Sequence, residues 1–261
     1  MQRSHLLGLN QFTEKEGIVV VQLPTFQKAN EILSEILNKY SDQKTALFLS
    51  GGTTPKRLYE KLAGDKTLKA GAVGLIDERY STKDKRNSNE LMIRSTGLLS
   101  YFENKNVRFY PILQDKNIEQ TTKEYDEALR FIFEYFPKSV GILGIGDDGH
   151  TAGIPARAKN SKLKTQSSEN IVKKMMEDQS GFVDFYELEG YGQRITMNFH
   201  ALSLLDLILI LVLGREKREA LKLMFDPSTG SGQDDVSNVP ARFYKKPEVA
   251  QKTILITDQI I

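Results

Sequence analysis

The chain has 261 residues and a formal net charge of +2, with 39% hydrophobic and 27% charged residues. These values are typical of a globular protein, and the near balance of charge argues against a nucleic-acid-binding protein. The sequence contains no cysteine, which excludes disulfides, thiol nucleophiles and cysteine-ligated metals.

The sequence also lacks signals for secretion or membrane insertion. The N-terminus does not have the charged and then apolar layout of a signal peptide. The most apolar run, 204–213, is too short to cross a bilayer and is interrupted by Asp206. We therefore predict a cytoplasmic protein that makes no membrane contact.

Strands and helices alternate along most of the chain. After a polar, irregular lead-in at 1–17, apolar and β-branched runs predict strands at 18–23, 46–49, 72–76, 107–110, 140–145, 194–197, 207–213 and 253–257. Apolar residues at helical spacing predict helices at 24–40, 56–63, 88–99, 118–136 and 215–225, with a turn or short helix at 198–205. Segment 155–192 is predicted to be loops with one helix around 169–178, and 226–238 a mobile surface loop.

This alternation predicts an α/β fold with a mainly parallel sheet and helices on both faces. No internal repeat or clear linker is visible. We expect one domain over 1–261, with a small additional subdomain built from 155–192. Ligands bind at the carboxyl ends of strands in such open sheets, so the loops that follow the strands are the candidate site.

The strand predicted at 140–145 leads into a loop framed by glycines that carries Asp147, Asp148 and His150. Histidine is the side chain best suited to proton transfer near neutral pH, so His150 is a candidate general base acting on water. Asp148 would orient the imidazole or contact substrate hydroxyls. The alternative is a histidine that only caps the following segment.

A second loop, Ser50, Gly51, Gly52 and Thr53, joins a predicted strand to a predicted helix. The glycines allow an anion to approach the backbone, the hydroxyls add donors, and the start of a helix favours phosphate. The pattern lacks the Gly-Lys-Ser/Thr ending of a nucleotide-hydrolase P-loop. An ordinary turn between a strand and a helix is the competing interpretation.

Charged side chains follow two more strands. Arg79 could clamp a phosphate or carboxylate, and Asp77 could exchange protons with a substrate, although a surface ion pair would give the same pattern. Lys217, at the start of the helix after Gly214, could reach a bound phosphate or could simply lie on a solvated helix face.

Other site types receive less support. The three histidines do not pair at metal-ligand spacing, so we predict no metal site. His200 is predicted to be structural. The Gly-x-Ser-x-Gly elbow of many serine hydrolases is absent. So is a dinucleotide-binding Gly-x-Gly-x-x-Gly between a strand and a helix.

Taken together, these motifs resemble the family of 6-phosphogluconolactonases and glucosamine-6-phosphate deaminases. The matching segments, in the family's order and across nearly the whole chain, are 50–55, 77–80, 87–89, 144–152, 194–197, 214–217 and 240–242. The resemblance implies a modified Rossmann-like fold. It also implies hydrolysis of 6-phospho-D-glucono-1,5-lactone to 6-phosphogluconate, in the oxidative pentose phosphate pathway, with no metal or organic cofactor. We expect the protein to be a monomer or small homo-oligomer.

The resemblance also assigns roles. It implies that His150 activates water and that the 50–53 loop lines the sugar-phosphate pocket. Arg79, Arg194 and Lys217 would supply positive charge for the phosphate or for the developing oxyanion.

Two alternatives remain at this stage. Deaminases, one branch of this family, resemble one another in a Gly-His-Ile-Ala motif that is followed closely by Asn-Glu-Pro. In this chain, residues 151–160, which follow His150, include no acidic residue. A sugar-phosphate-binding protein without catalytic activity is the other alternative, and retention of His150, Asp148 and Arg79 argues against it. The loop after His150 is one residue shorter than the lactonase pattern and lacks its serine, so we expect a reshaped pocket wall there.

Overall fold

The computed structural model describes residues 12–80, 88–156, 166–189, 192–226 and 235–260. Its strands are β1 (Thr13–Lys15), β2 (Ile18–Gln22), β3 (Thr45–Leu49), β4 (Ala72–Leu75), β5 (Asp77–Arg79), β6 (Arg108–Phe109), β7 (Lys138–Gly144), β8 (Val183–Leu188), β9 (Gly192–Met197), β10 (Leu207–Val212) and β11 (Thr253–Thr257).

The helices are α1 (Phe26–Tyr40), α2 (Thr53–Asp65), α3 (Asn89–Ser95), α4 (Leu98–Glu103), α5 (Ile118–Tyr135), α6 (Gln166–Glu177), α7 (Phe199–Leu204), α8 (Arg218–Phe225) and α9 (Pro247–Ala250). Two 3₁₀ helices, Arg215–Lys217 and Pro240–Lys245, precede α8 and α9.

The main sheet has eight strands in the order β1-β2-β11-β10-β7-β3-β4-β6, and all neighbours except β1 and β2 run parallel. The central strands β3, β10 and β11 are fully buried because helices cover both faces of a parallel sheet. The predicted α/β class with a mainly parallel sheet is therefore confirmed.

The position of the site follows from the winding of this sheet. From β3 the chain proceeds outward through β4 and β6, whereas from β7 it proceeds in the opposite direction through β10 and β11. The carboxyl ends of β3 and β7, which are hydrogen-bonded neighbours, therefore form a topological switch point. The loops at 50–53 and 144–150 both begin there.

A second, antiparallel sheet of three strands, β5-β9-β8, corrects the sequence prediction. The charged residues 77–79, which follow the strand predicted at 72–76, do not lie in a loop. The chain leaves the main sheet after β4, and Asp77–Arg79 forms a strand of the small sheet. Segment 155–192 contains the predicted helix, α6, and also β8, which the prediction missed.

Three smaller predictions were wrong. Residues 13–15 form a strand that pairs with β2 through a turn with positive φ at Glu16 and Gly17, instead of an irregular lead-in. The helix predicted at 88–99 is two helices, because Gly97 adopts a φ of 82° between them. The helix predicted at 215–225 begins as a 3₁₀ turn.

One hydrophobic core includes residues of both sheets, among them Leu209 of β10 and Ile195 of β9. The single-domain organisation stays a prediction. Most of the loop predicted at 226–238, and residue Asn87, lie outside the described residues. No helix of the described residues is long and apolar enough to cross a bilayer.

Candidate active site

A cleft of about 420 Å³ opens at the switch point. The strand ends of both sheets contribute to its walls, so that backbone from the 50–53 loop faces charged side chains from the small sheet. Its lining includes Ser50, Gly51, Gly52, Thr53, Asp77, Arg79, Asn89, Gly146, Asp147, His150, Gly153, Arg194 and Lys217. Thus every predicted site residue lines the cleft except Asp148, which is hydrogen-bonded to His150.

The 50–53 loop is an extension of β3. The backbone N–H of Ser50 still donates to the carbonyl of Ile142 on β7, at 3.1 Å. Gly52 then turns the chain with a φ of 105°, and α2 begins at Thr53 without a side-chain cap. The first N–H groups of α2 therefore remain available to an anion in the cleft.

The His150 loop is a tight turn closed by its own backbone. The N–H of Gly146 donates to the carbonyl of His150 at 2.8 Å, and the N–H of Gly149 donates to the carbonyl of Gly146 at 2.9 Å. Thr151 donates to the carbonyl of Gly144 at 2.8 Å and contacts the hydroxyl of Tyr244 at the same distance. This turn fixes the backbone position from which the imidazole projects.

His150 and Asp148 form a hydrogen-bonded pair. The imidazole Nδ1 lies 2.6 Å from Oδ1 of Asp148, and the same oxygen accepts from the backbone N–H of His150 at 3.0 Å. A carboxylate at Nδ1 favours the tautomer in which Nδ1 is protonated, so Nε2 is the basic nitrogen. This geometry matches the orienting role predicted for Asp148.

Asp77 is a buried acid, 8% exposed, in the wall of the cleft. Burial raises the pKa of its carboxyl above the ordinary value, while the nearby positive charges of Arg79 and Arg194 oppose that shift. Gly153 packs against it so closely that a Cβ atom at Gly153 would lie 2.8 Å from Oδ2 of Asp77.

Arg79 and Arg194 lie directly opposite each other on β5 and β9. Burial lowers the pKa of Arg194, and the neighbouring charge of Arg79 lowers it further. Two positive charges at facing positions of a sheet repel, and an anion bound between them would relieve that repulsion.

Lys217 ends the 3₁₀ turn that follows Gly214, whose φ is 108°. Its Nζ lies 2.8 Å from Oδ1 of Asp147, a carboxylate whose side chain is 65% exposed. Lys217 therefore faces the cleft, as predicted, and is held there by a solvated partner that a bound phosphate could replace.

Two residues next to Asp77 received no role from the sequence. Glu78 is fully buried and accepts hydrogen bonds from the hydroxyl of Ser88 and from the backbone N–H groups of Asn89 and Glu90, all within 2.9 Å. It anchors the start of α3 beside the cleft. The side chain of Asn89 reaches the cleft itself. The sequence signals for these two residues were only the matching segments, 77–80 for Glu78 and 87–89 for Asn89.

Other features of the chain are structural. Arg242 is 1% exposed and donates to the carbonyls of Leu223 and Asp226, at the end of α8. His200 packs on Phe182, with ring centroids 5.3 Å apart, outside the residues that line the cleft. Among the described residues, no group of three histidine or carboxylate side chains could hold a metal ion.

Comparison with known proteins places the chain in a family. The family model described as glucosamine-6-phosphate isomerases/6-phosphogluconolactonase matches residues 25–254. A curated 6-phosphogluconolactonase of Nostoc sp. is 30% identical over 203 residues, which cover 75% of each chain. One of Thermotoga maritima is 31% identical over 189 residues, 69% of this chain and 76% of that protein.

The fold agrees. The structure of 6-phosphogluconolactonase from Plasmodium vivax superposes with a TM-score of 0.75 at 19% identity, over 100% of this chain and 97% of that one. The family model and the curated relatives confirm the resemblance inferred from the motifs, and the range matched by the family model, 25–254, includes the strands and loops that build the cleft. The chain belongs to the family of glucosamine-6-phosphate isomerases and 6-phosphogluconolactonases.

Proposed function

We propose that this protein hydrolyses 6-phospho-D-glucono-1,5-lactone to 6-phosphogluconate, the activity after which its curated relatives are named. The observation that carries the proposal is the hydrogen bond between His150 and Asp148 at a cleft that also holds Arg79, Arg194 and Lys217. The cleft thus combines a general base with a site for an anion.

In this mechanism, Nε2 of His150 takes a proton from a water molecule as the water oxygen attacks the carbonyl carbon of the lactone. The tetrahedral oxyanion that forms is stabilised by positive charge in the cleft. Its collapse breaks the bond between that carbon and the ring oxygen. The ring oxygen leaves as a hydroxyl group, protonated by the imidazolium of His150, and the new acid ionises in solution.

The magnitudes are adequate for this substrate. A lactone is already an activated ester, so a positioned base and a stabilised oxyanion suffice. General-base catalysis contributes roughly 10²–10⁴-fold, and one oxyanion donor about 10²–10³-fold. Asp148 keeps the imidazole in the tautomer that leaves Nε2 free to take the proton.

The anion site would bind the 6-phosphate and counter the developing charge. The uncapped start of α2, the hydroxyls of Ser50 and Thr53, and the positive charges of Lys217, Arg79 and Arg194 supply the donors. Burial raises the pKa of Asp77, and its carboxyl in the wall of the cleft is available for proton exchange with the substrate.

The test is the rate of disappearance of enzymatically generated 6-phosphogluconolactone at neutral pH, with and without the purified protein. We expect acceleration well above spontaneous hydrolysis. A rate equal to the spontaneous one would overturn the proposed function.

Ammonia release from glucosamine-6-phosphate, assayed in parallel, tests the deaminase alternative. Described residues 151–156, directly after His150, carry no acid to assist the ring opening that the resemblance assigns to that branch. The cytoplasmic location and the monomeric or small homo-oligomeric state remain predictions from the sequence.

A further inference from the structure

Two buried polar atoms without a hydrogen-bond partner lie in the walls of the cleft. They are Oγ of Ser50 and Oδ1 of Asn89, and no described residue donates to or accepts from either. Asn89 is only 2% exposed. Leaving a buried acceptor unpaired costs free energy, and a ligand in the cleft that donates to this atom would remove that cost.

The orientation of the Asn89 side chain is fixed from its other end. Its Nδ2 donates to the backbone carbonyl of Asp77 at 2.9 Å, and its backbone N–H donates to Oε1 of Glu78 at 2.8 Å. The bond from Nδ2 fixes which end of the amide carries the nitrogen, and the oxygen is the end that has no partner among the described residues.

The position of that oxygen is equally specific. A Cβ atom at Gly51 would lie 1.8 Å from Oδ1 of Asn89, so the amide occupies the space that a side chain at Gly51 would need. Oδ1 therefore lies between the loop expected to hold the phosphate and Asp77. Gly51, Asp77, Asn89 and His150 all line the same cleft.

We propose that Asn89 is a specificity-determining residue whose Oδ1 accepts a hydrogen bond from a sugar hydroxyl between the phosphate and the reacting carbonyl. This inference rests on the proposed function. The chemistry excludes the other parts of the ligand, since ionised phosphate and carboxylate oxygens have no hydrogen to donate. Asn89 would thus select a polyhydroxylated lactone over an ester that merely carries a phosphate.

The experiment compares kcat/KM for 6-phosphogluconolactone and for its 2-deoxy, 3-deoxy and 4-deoxy analogues, using wild type and Asn89→Ala. For wild type, kcat/KM should be about tenfold to a hundredfold lower for one analogue than for the full substrate. For Asn89→Ala, kcat/KM on the full substrate should fall by a similar factor relative to wild type. Its kcat/KM on that analogue should be little lower still, because the substitution and the missing hydroxyl remove the same interaction.

The matched control is Ser88→Ala. Ser88 donates to Glu78 and accepts from the N–H of Leu91 at the start of α3, but it does not line the cleft. This variant should change kcat/KM by the same factor for all four substrates. Equal losses on all four substrates for Asn89→Ala would indicate a structural role and overturn the inference.

Equal kcat/KM values of wild type for the parent lactone and all its deoxy analogues would also overturn the inference. This outcome can be measured even if Asn89→Ala fails to fold. If wild type does not accelerate hydrolysis at all, the proposed function fails, and binding of 6-phosphogluconate and its deoxy analogues by calorimetry decides the role of Asn89. Affinity that drops for one analogue only in wild type supports that role, and equal affinities overturn it.

Discussion

Arg194 on β9 lies directly opposite Arg79 on β5, and both side chains line the cleft. Facing like charges destabilise a pair of strands, and the lowered pKa of Arg194 reflects its burial and then this neighbour. An anion bound between the two guanidinium groups would relieve this repulsion.

We expect inorganic phosphate to raise the unfolding temperature of wild type and to raise that of Arg194→Gln by less. Phosphate at one hundred times its Kd would add about 2.7 kcal/mol to the free energy of unfolding of wild type. Differential scanning calorimetry over a phosphate series measures both. Arg108→Gln is the control, because Arg108 lies over the ring of Tyr110 outside the cleft residues. Equal phosphate responses in the two arginine variants would contradict an anion site at Arg194.

His150→Asn should lower kcat for lactone hydrolysis by roughly 10²–10⁴-fold, the usual contribution of a general base. Binding of 6-phosphogluconate should persist, since the phosphate contacts remain. Stopped assays and calorimetry measure the two quantities. His200→Asn, which alters a histidine packed on Phe182, provides the comparison and should retain turnover. Loss of turnover in both variants alike would remove the special role of His150.

The buried carboxyl of Asp77 predicts a pH-dependent difference in stability. Its raised pKa means that the unfolded chain loses this proton at a lower pH than the native protein does. As the pH rises from the ordinary aspartate pKa through the raised native value, this group therefore lowers the free energy of unfolding. Asp77→Asn should match wild type in stability at low pH and exceed it above that window. Chemical unfolding at a series of pH values tests this, and a constant difference at all pH values would contradict it.

Lys217→Ala should raise KM for the phosphorylated lactone about tenfold to a hundredfold, the loss expected for a charged hydrogen bond. The change in kcat should be smaller, and hydrolysis of unphosphorylated gluconolactone should hardly change. The control is Lys222→Ala, since Lys222 pairs with Glu219 on the solvent face of α8. If KM of the variant rises by the same factor for the phosphorylated and the unphosphorylated lactone, Lys217 does not contact the phosphate.

The sequence predicted the parts of the site that depend on single strand ends. Apolar runs such as 207–213 identify buried parallel strands, and the carboxyl ends of such strands meet at one edge. This is why the amino-acid pattern alone is enough to place Ser50, His150 and Lys217 together. The pairing of Asp148 with His150 also follows from their separation of two residues around a glycine.

The rest of the site depends on contacts that local patterns do not encode. Strand β8, which pairs with β9, could not be recognised as an apolar run because residues 183–188 include Asp184 and Glu187. The pairing of Arg79 with Arg194 joins β5 to β9, and no local pattern shows that the chain leaves the main sheet after β4 to form β5. The role of Asn89 likewise depends on which of its atoms other residues satisfy, and only tertiary structure reveals that.

The close approach of Gly146 to His150 gives a further prediction. A Cβ atom at Gly146 would lie 2.0 Å from Cε1 and 2.2 Å from Nδ1 of the imidazole. Gly146 is not among the residues with positive φ, so alanine fits the backbone, and the three atoms nearest to its Cβ all belong to the imidazole ring. Gly146→Ala should displace His150 from Asp148, lower kcat by at least tenfold, and destabilise the protein by about 1–3 kcal/mol through overpacking.

The double variant Gly146→Ala/His150→Ala distinguishes this cause from general damage. Without the ring the added methyl group has room, so the double variant should be no less active than His150→Ala and should recover the stability lost on adding the methyl group. Gly64→Ala is the control, because a Cβ atom there meets nothing within 4 Å. That change lies in helix α2 and should add about 0.4–1 kcal/mol of stability without altering turnover. Additive losses in the double variant would mean that Gly146 supports the fold independently of the imidazole.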